Sequence, residues 1–226
     1  MRVLIIAAHP DDEVLGVGGT IARHVDKGDE VFILMVTEGS STQYKNQVGK
    51  IQQKKLELEK VKETLGITEV IYLDLPDMKL DTIPKADLNE QVAKAALNIK
   101  PEIVYTHFYG DINNDHQVVF EATMVAVRPI GDYSVRRVLA YNTPSSTEWS
   151  AQTSNNAFLP NVYVDITDYL PKKLEAMRQY QSELRSYPHP RSLESLNQVA
   201  KFWGKHIGVD AAEPFMLIRE IEKGEV

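Results

Sequence analysis

Five consecutive residues near the amino terminus, His9-Pro10-Asp11-Asp12-Glu13, carry one imidazole and three carboxylates. Carboxylates packed together without partners repel one another, and a bound divalent cation removes that cost. His9 and Asp12 are three residues apart on a predicted tight turn, so both side chains can point the same way. Asp11, between them, is expected to point elsewhere. An ordinary acidic helix N-terminus is the competing interpretation of this segment.

A second carboxylate–imidazole pair, Asp115-His116, follows a separate apolar run over residues 102–106. His9, Asp12 and His116 together form a set of two histidines and one carboxylate. This set is sufficient for Zn²⁺ with a fourth position open for water. The chain has no cysteine, so a thiolate site is excluded.

Asp11 is the candidate catalytic base in this arrangement. It could take a proton from a metal-activated water and later return it to a leaving amine. Fe²⁺ and Co²⁺ are also possible ions, so a non-haem iron enzyme remains an alternative. A non-catalytic sugar-binding module is a second alternative, but a pure binding site has no use for a base.

Hydrophobic periodicity indicates the elements that position these residues. Predicted strands cover residues 2–8, 30–36, 70–73, 102–106, 136–141, 162–166 and 215–218. Predicted helices cover residues 14–27, 43–65, 86–99, 118–127, 168–186 and 193–203. The alternation predicts an α/β fold with a mostly parallel sheet and right-handed crossovers. If strands one and four are neighbours where the strand order reverses, both clusters face the crevice at the carboxyl ends of the strands.

The composition of the chain argues against several classes of function. The net charge of −7 argues against nucleic acid and against an anionic membrane surface as partners. We find no apolar run long enough to span a bilayer and no signal peptide, and we expect a cytoplasmic protein. No linker or repeat is evident, so residues 1–226 are predicted to be one domain, and a homo-oligomer is possible.

The HPDDE pentapeptide, together with Asp115-His116 after the fourth strand, resembles the PIG-L/LmbE family of zinc-dependent N-deacetylases. The similarity extends to Thr37-Glu38-Gly39 and to the tail around residues 180–192. The resemblance implies a Rossmann-like fold with helices on both faces of the sheet. It further implies zinc on the two histidines and Asp12, and Asp11 as base. The implied reaction is removal of acetyl groups from N-acetylglucosamine-type amides, so the expected partner is a small amino-sugar conjugate.

One departure from the family pattern concerns Asn113. Many members have a histidine at this position, where it assists the oxyanion or the leaving group. An amide can donate a hydrogen bond there but cannot carry a proton. His107 and His189 are candidates to replace the missing histidine.

A further expectation concerns the wall that recognises substrate. Residues 128–149 follow the predicted metal helix and can return over the crevice. Arg128, Glu148 and Trp149 offer a cation, a carboxylate and an aromatic face for a sugar conjugate. Packing of Trp149 in the core is the competing interpretation. Arg191 is a weaker candidate for the same wall.

Overall fold

The computed structural model describes residues 1–40, 48–130 and 135–222 of the chain. The strands in this part of the chain are β1 (Arg2–Ala7), β2 (Glu30–Thr37), β3 (Glu69–Leu75), β4 (Ile103–His107), β5 (Arg137–Tyr141), β6 (Val162–Asp165) and β7 (Ala212–Glu220). The helices are α1 (Asp12–Asp26), α2 (Val48–Leu65), α3 (Lys85–Ile99), α4 (Asn114–Ala126), α5 (Leu170–Gln179) and α6 (Leu193–Lys205). Short 3₁₀ helices lie at Leu80–Thr82 and Thr147–Trp149.

The described strands form a sheet in the order β3-β2-β1-β4-β5-β7-β6. The first five strands of this order are parallel, whereas β7 is antiparallel to both β5 and β6. The predicted α/β class with a mostly parallel sheet is therefore confirmed. Strand β1 pairs with β2 on one side and with β4 on the other, so the strand order reverses between β1 and β4 as the sequence predicts.

Strand β1 is apolar along most of its length because both faces of the sheet are covered. Val3, Ile5 and Ala7 pack on the face that carries α1, α2, α5 and α6. The alternate residues Leu4 and Ile6 pack on the opposite face with α3 and α4. All five side chains are inaccessible to solvent, so the site at the end of β1 stands on the rigid centre of the molecule.

Helix α1 packs unusually close to its neighbours. A Cβ atom on Gly16 would collide with the ring of Tyr141. Farther along the helix, the backbone N–H groups of Gly19 and Thr20 donate to the carboxylate of Glu213 at 2.9 and 2.7 Å. The ammonium of Lys173 binds the same carboxylate at 2.5 Å. These contacts fix α1, and with it the turn that contains the HPDDE residues.

Two predicted helix boundaries were wrong in ways that matter for the site. Helix α4 begins at Asn114, before the predicted residue 118, because the side chain of Asn113 accepts the N–H of Asp115 and caps the helix. His116 therefore lies in the first turn of a helix, not in a loop. Helix α5 ends at Gln179, before the predicted residue 186. The next residue, Tyr180, is buried and its hydroxyl donates to Glu13. The chain then forms a turn in which the N–H groups of Glu183 and Leu184 donate to the Tyr180 carbonyl.

Two further expectations from the sequence concern the start of the second helix and the absence of a membrane-spanning segment. The predicted start of the second helix at residue 43 lies outside the described residues. Within the described residues, no helix combines the length and the apolar character that crossing a membrane requires.

Candidate active site

The loop after β1 and the first turn of α4 bring His9, Asp12 and His116 together. The Nδ1 atom of His9 lies 3.2 Å from Oδ2 of Asp12 and 3.2 Å from Nε2 of His116. The Nε2 atom of His116 lies 3.4 Å from the same Asp12 oxygen. Three potential ligand atoms thus form a nearly equilateral triangle at the centre of the sheet edge.

This triangle has the dimensions of three ligands on a tetrahedral ion. Zinc binds histidine nitrogen and carboxylate oxygen at about 2.0–2.2 Å, so two such ligands of a tetrahedral ion lie about 3.3–3.5 Å apart. The three separations between the donors of His9, Asp12 and His116 agree with this value. The residues therefore fit a zinc ion and leave a fourth position for a water or a substrate oxygen.

The second nitrogen of His9 contacts two carboxylates. Its Nε2 atom lies 3.2 Å from Asp115 and 3.3 Å from Asp77. Asp115 is itself fixed by the backbone N–H groups of Met78 and Leu80. Burial opposes protonation of His9, but its hydrogen bonds to Asp115 and Asp12 prevail and raise its pKa to about 10. The surroundings therefore favour positive charge at this position, which a divalent ion supplies while the imidazole stays neutral.

His116 has an equivalent partner in Asp111. The Nδ1 atom of His116 lies 3.2 Å from Oδ1 of Asp111. The Asp111 carboxylate accepts the hydroxyl groups of Ser146 and Thr147, the latter at 2.7 Å, and the N–H of Asn113 at 2.8 Å. Burial would raise the pKa of Asp111, but the hydrogen bonds from His116 and Ser146 outweigh burial and hold it below its usual value. Asp111 thus remains an ionised acceptor that orients the His116 ring.

Asp11 occupies an uncommon backbone conformation with a φ of 127°. For a residue with a Cβ this conformation costs about 1–3 kcal/mol and persists where surrounding contacts hold it. Its N–H donates to the carboxylate of Glu13 at 3.2 Å, and Glu13 also accepts the hydroxyl of Tyr180. Glu13 therefore stabilises the turn that separates the Asp11 side chain from that of Asp12.

The Asp11 carboxylate lies in a buried, charged environment. Its Oδ2 atom is 3.2 Å from Nη1 of Arg191. Burial and the nearby charges of Glu183 and Asp12 raise the pKa of Asp11 to about 7, against the opposing effect of Arg191. A carboxyl group with a pKa near neutrality can both accept and donate a proton under ordinary conditions.

These groups surround a cavity of about 300 Å³. This volume is at the lower end of small-molecule sites. Polar side chains cover the floor, and Met78 and Ile112 stand exposed at its rim. The lining residues are His9, Asp11, Asp12, Leu15, Gly39, Lys54, Asp77, Met78, Ile112, Asn113, His116, Thr143, Ser145, Ser146, Glu183 and Arg191.

Comparison with known proteins decides the family. The PIG-L family model, described as GlcNAc-PI de-N-acetylase, matches residues 4–127, which contain the complete donor triangle and Asp11. The chain belongs to the PIG-L family. It is therefore a deacetylase of a zinc-hydrolase family, as the sequence resemblance implied.

Individual relatives extend the similarity beyond the matched region. This PIG-L protein is 30% identical to the uncharacterized deacetylase YaiS of Escherichia coli K12, over 80% of this chain and 90% of YaiS. It is 27% identical to the diacetylchitobiose deacetylase of Thermococcus kodakarensis, over 94% of this chain and 81% of that protein. The crystal structure of the conserved protein TT1542 from Thermus thermophilus superposes with a TM-score of 0.79 at 26% identity, covering 98% of this chain and 96% of the other.

Two of the predicted substrate contacts in this PIG-L protein need correction. His107 is fully buried beneath His116, with the two rings stacked 3.9 Å apart. The Nε2 atom of His107 accepts the N–H of Ala8. Burial and the nearby His116 lower the pKa of His107 to about 4. His107 therefore supports the site from beneath His116. Arg128 follows the far end of α4, and the thirteen residues of that helix separate it from the cavity by roughly 20 Å.

The remaining candidates are Glu148 and Trp149 from the predicted wall and Asn113 and His189, and all four lie in or near the cavity. Asn113 lines it. Trp149 is 55% exposed and packs edge-on against His189, so the core interpretation of Trp149 is wrong. Glu148 accepts the backbone N–H groups of Ser145 and Ser146 and thereby shapes the loop. Trp149, His189 and Glu148 flank the lining without belonging to it.

Several residues of the PIG-L site were not found from the sequence. Asp77 follows β3 in a polar loop at the same sheet edge as the HPDDE residues, and that position was a usable signal. Lys54 has no such signal, because it is one of many charged residues in α2 and its burial depends on Glu183. Glu183 reaches the cavity only through the fold of the carboxyl-terminal third, whereas Arg191, the weaker wall candidate from the sequence, does line the cavity.

Proposed function

We propose that this PIG-L protein hydrolyses the N-acetyl amide of an amino sugar or an amino-sugar conjugate, with zinc held by His9, Asp12 and His116. The observation that carries the proposal is the triangle of donor atoms with Asp11 beside it on the same cavity. A divalent ion held by this triangle would polarise a water molecule and the amide carbonyl.

Asp11 is the proposed base. Its carboxylate takes a proton from the attacking water, and the water oxygen bonds to the acetyl carbon. The C–N bond then breaks, and the proton returns from Asp11 to the departing nitrogen. The products are acetate and the free amine.

Asn113 and His107 restrict how the leaving amine is protonated. The Asn113 carbonyl oxygen accepts the N–H of Asp115, so its NH₂ group is the part available to donate to substrate. His107 uses its Nε2 lone pair on Ala8 and has no access to the cavity. Of Asp11, Asn113 and His107, Asp11 is therefore the group that can carry the proton to the amine.

The size of the cavity supports a substrate with one amino-sugar ring inside and the remainder outside. The diacetylchitobiose deacetylase similar to this chain is named for an N-acetyl amino-sugar substrate. Met78 and Ile112 are exposed at the rim, and Trp149 and His189 lie beyond it. A conjugate would extend across these side chains.

The alternatives are less well supported. The donor set suits Fe(II) as well as zinc, but a redox enzyme has no evident role for a base beside the donor triangle. A binding module would likewise have no use for Asp11 in a strained conformation.

A screen for acetate release tests the proposal. The protein is incubated with a panel of N-acetylglucosamine conjugates, with zinc added, with chelator added, and with zinc restored after chelation. We expect acetate and free amine in equal amounts from at least one conjugate, lost with chelator and recovered with zinc. Absence of acetate from the whole panel in the metal-loaded protein would refute the proposed reaction.

A further inference from the structure

Three charged side chains from separate elements converge beside Asp11. Lys54 lies on α2, Glu183 lies in the turn after α5, and Arg191 precedes α6. The Glu183 carboxylate binds Lys54 through one oxygen at 2.8 Å and Arg191 through the other at 2.6 Å. The Nη1 atom that binds Glu183 also contacts Oδ2 of Asp11 at 3.2 Å.

The backbone around Arg191 is fixed. Its N–H donates to the ring of His189 at 3.1 Å, and the next residue, Ser192, caps α6 by accepting the N–H of Ser195. The backbone fixes one end of the Arg191 side chain, and Glu183 holds the guanidinium at the other end. The guanidinium therefore cannot follow the Asp11 carboxylate if the Asp11 side chain rotates. The Glu183 and Lys54 side chains are only 3% and 5% exposed, so water competes little for the contact between them, and the Arg191 side chain is 23% exposed.

The Asp11 side chain needs such support. Its backbone conformation is strained, and a proton transfer requires the carboxylate to stay within about 2.6–3.2 Å of the attacking water. The Asp11–Glu13 contact fixes only the Asp11 main chain.

We propose that Arg191 is a positioning residue: its guanidinium, anchored by Glu183, holds the Asp11 carboxylate in the orientation that proton transfer requires. This inference rests on the proposed function, in which Asp11 is the base. It assigns to the carboxyl-terminal third of the chain a direct part in organising a site whose proposed metal donors and base come from residues 9–116.

Arginine is better suited to this position than lysine. A guanidinium is planar and presents its N–H groups in fixed directions, whereas a lysine ammonium is a point charge on a flexible stem. Arg191→Lys therefore keeps the charge but loses the fixed direction. It should restore part, not all, of the function lost in Arg191→Met.

The test compares Arg191→Met and Arg191→Lys with Arg185→Met, a control in the same segment whose exposed guanidinium binds backbone carbonyls. Small misplacements of a catalytic group cost up to about 10²-fold, so we expect kcat of Arg191→Met to fall about 10–100-fold with little change in KM. Arg191→Lys should lie between this variant and the wild type, and Arg185→Met should equal the wild type. Added guanidinium should partly restore Arg191→Met, and metal content should stay constant.

An unchanged kcat in Arg191→Met, or a rise in KM alone, would overturn the positioning role while leaving the proposed reaction intact. Crystal structures of the wild type and of Arg191→Met provide a readout that does not depend on activity. The wild type should show a single Asp11 orientation, and the variant a displaced or multiple one. An identical Asp11 orientation in both would also overturn the inference, even if acetate release failed in the wild type.

Discussion

The Nδ1 atom of His9 and the Nε2 atom of His116 lie 3.2 Å apart, although 107 residues separate them in the chain. The pairing of β1 with β4 produces this proximity, because the two residues follow neighbouring parallel strands at the same sheet edge. Two largely buried imidazoles in contact are costly unless a shared partner sits between them.

Replacing His116 should remove the bound metal. His116→Ala deletes one of three donors, and we expect elemental analysis to show most of the ion lost from a protein that still folds. His206→Ala is the matched control, because His206 is exposed at the end of α6. Full retention of the metal in His116→Ala would exclude His116 as a ligand.

Weakening the support of His116 should lower metal affinity without abolishing the site. Asp111→Asn removes the charge next to Nδ1 of His116, and loss of such a partner typically costs about 10–100-fold in metal affinity. Thr147→Val removes one hydroxyl donor to Asp111 and should have a smaller effect in the same direction. Competition with a chromogenic chelator measures both. Equal affinity in Asp111→Asn and the wild type would contradict this role.

The sequence predicts the parts of this structure that depend on local pattern. Strand and helix periodicity is sufficient to predict the class of the sheet. The positions of HPDDE and of Asp115-His116 after two separate strands are sufficient to predict that the three donors lie together. The network of Lys54, Glu183 and Arg191 is not predictable in this way, because the contacts among the three side chains arise only through tertiary packing. The prediction that Arg128 belongs to the substrate wall was wrong for a related reason. The length of α4 places Arg128 away from the cavity. The assignment of residues 1–226 to one domain stays a prediction.

Trp149 should affect substrate binding more than stability. Its side chain is 55% exposed, so Trp149→Ala leaves no core cavity and should change the free energy of unfolding by about 0.5 kcal/mol or less. If a conjugate extends over the rim, KM should rise while kcat stays near the wild-type value. Phe202→Ala, an exposed aromatic on α6, is the control. A large loss of stability with an unchanged KM would remove Trp149 from the recognition surface.

The ion pair of Lys173 and Glu213 should be important for stability. Both side chains are almost fully buried beside α1, and Lys173→Met leaves the Glu213 carboxylate without its counter-charge. Breaking a buried pair in this way typically costs about 3–5 kcal/mol. Urea denaturation should show this loss, whereas Lys172→Met, at the exposed neighbouring position, should change the unfolding free energy by about 0.5 kcal/mol or less. Equal stability of the two variants would contradict the inferred role.

Asp12 is assigned to metal binding and its neighbour Asp11 to proton transfer, and one experiment separates these two roles. The deciding measurement is turnover and metal content of Asp11→Asn, alongside Asp168→Asn as a control at an exposed position. We predict that Asp11→Asn retains the wild-type amount of metal and that its rate of acetate release falls by about 10²–10⁴, the usual contribution of a positioned general base. Turnover near that of the wild type, with the metal retained, would contradict the assignment of Asp11 as the base.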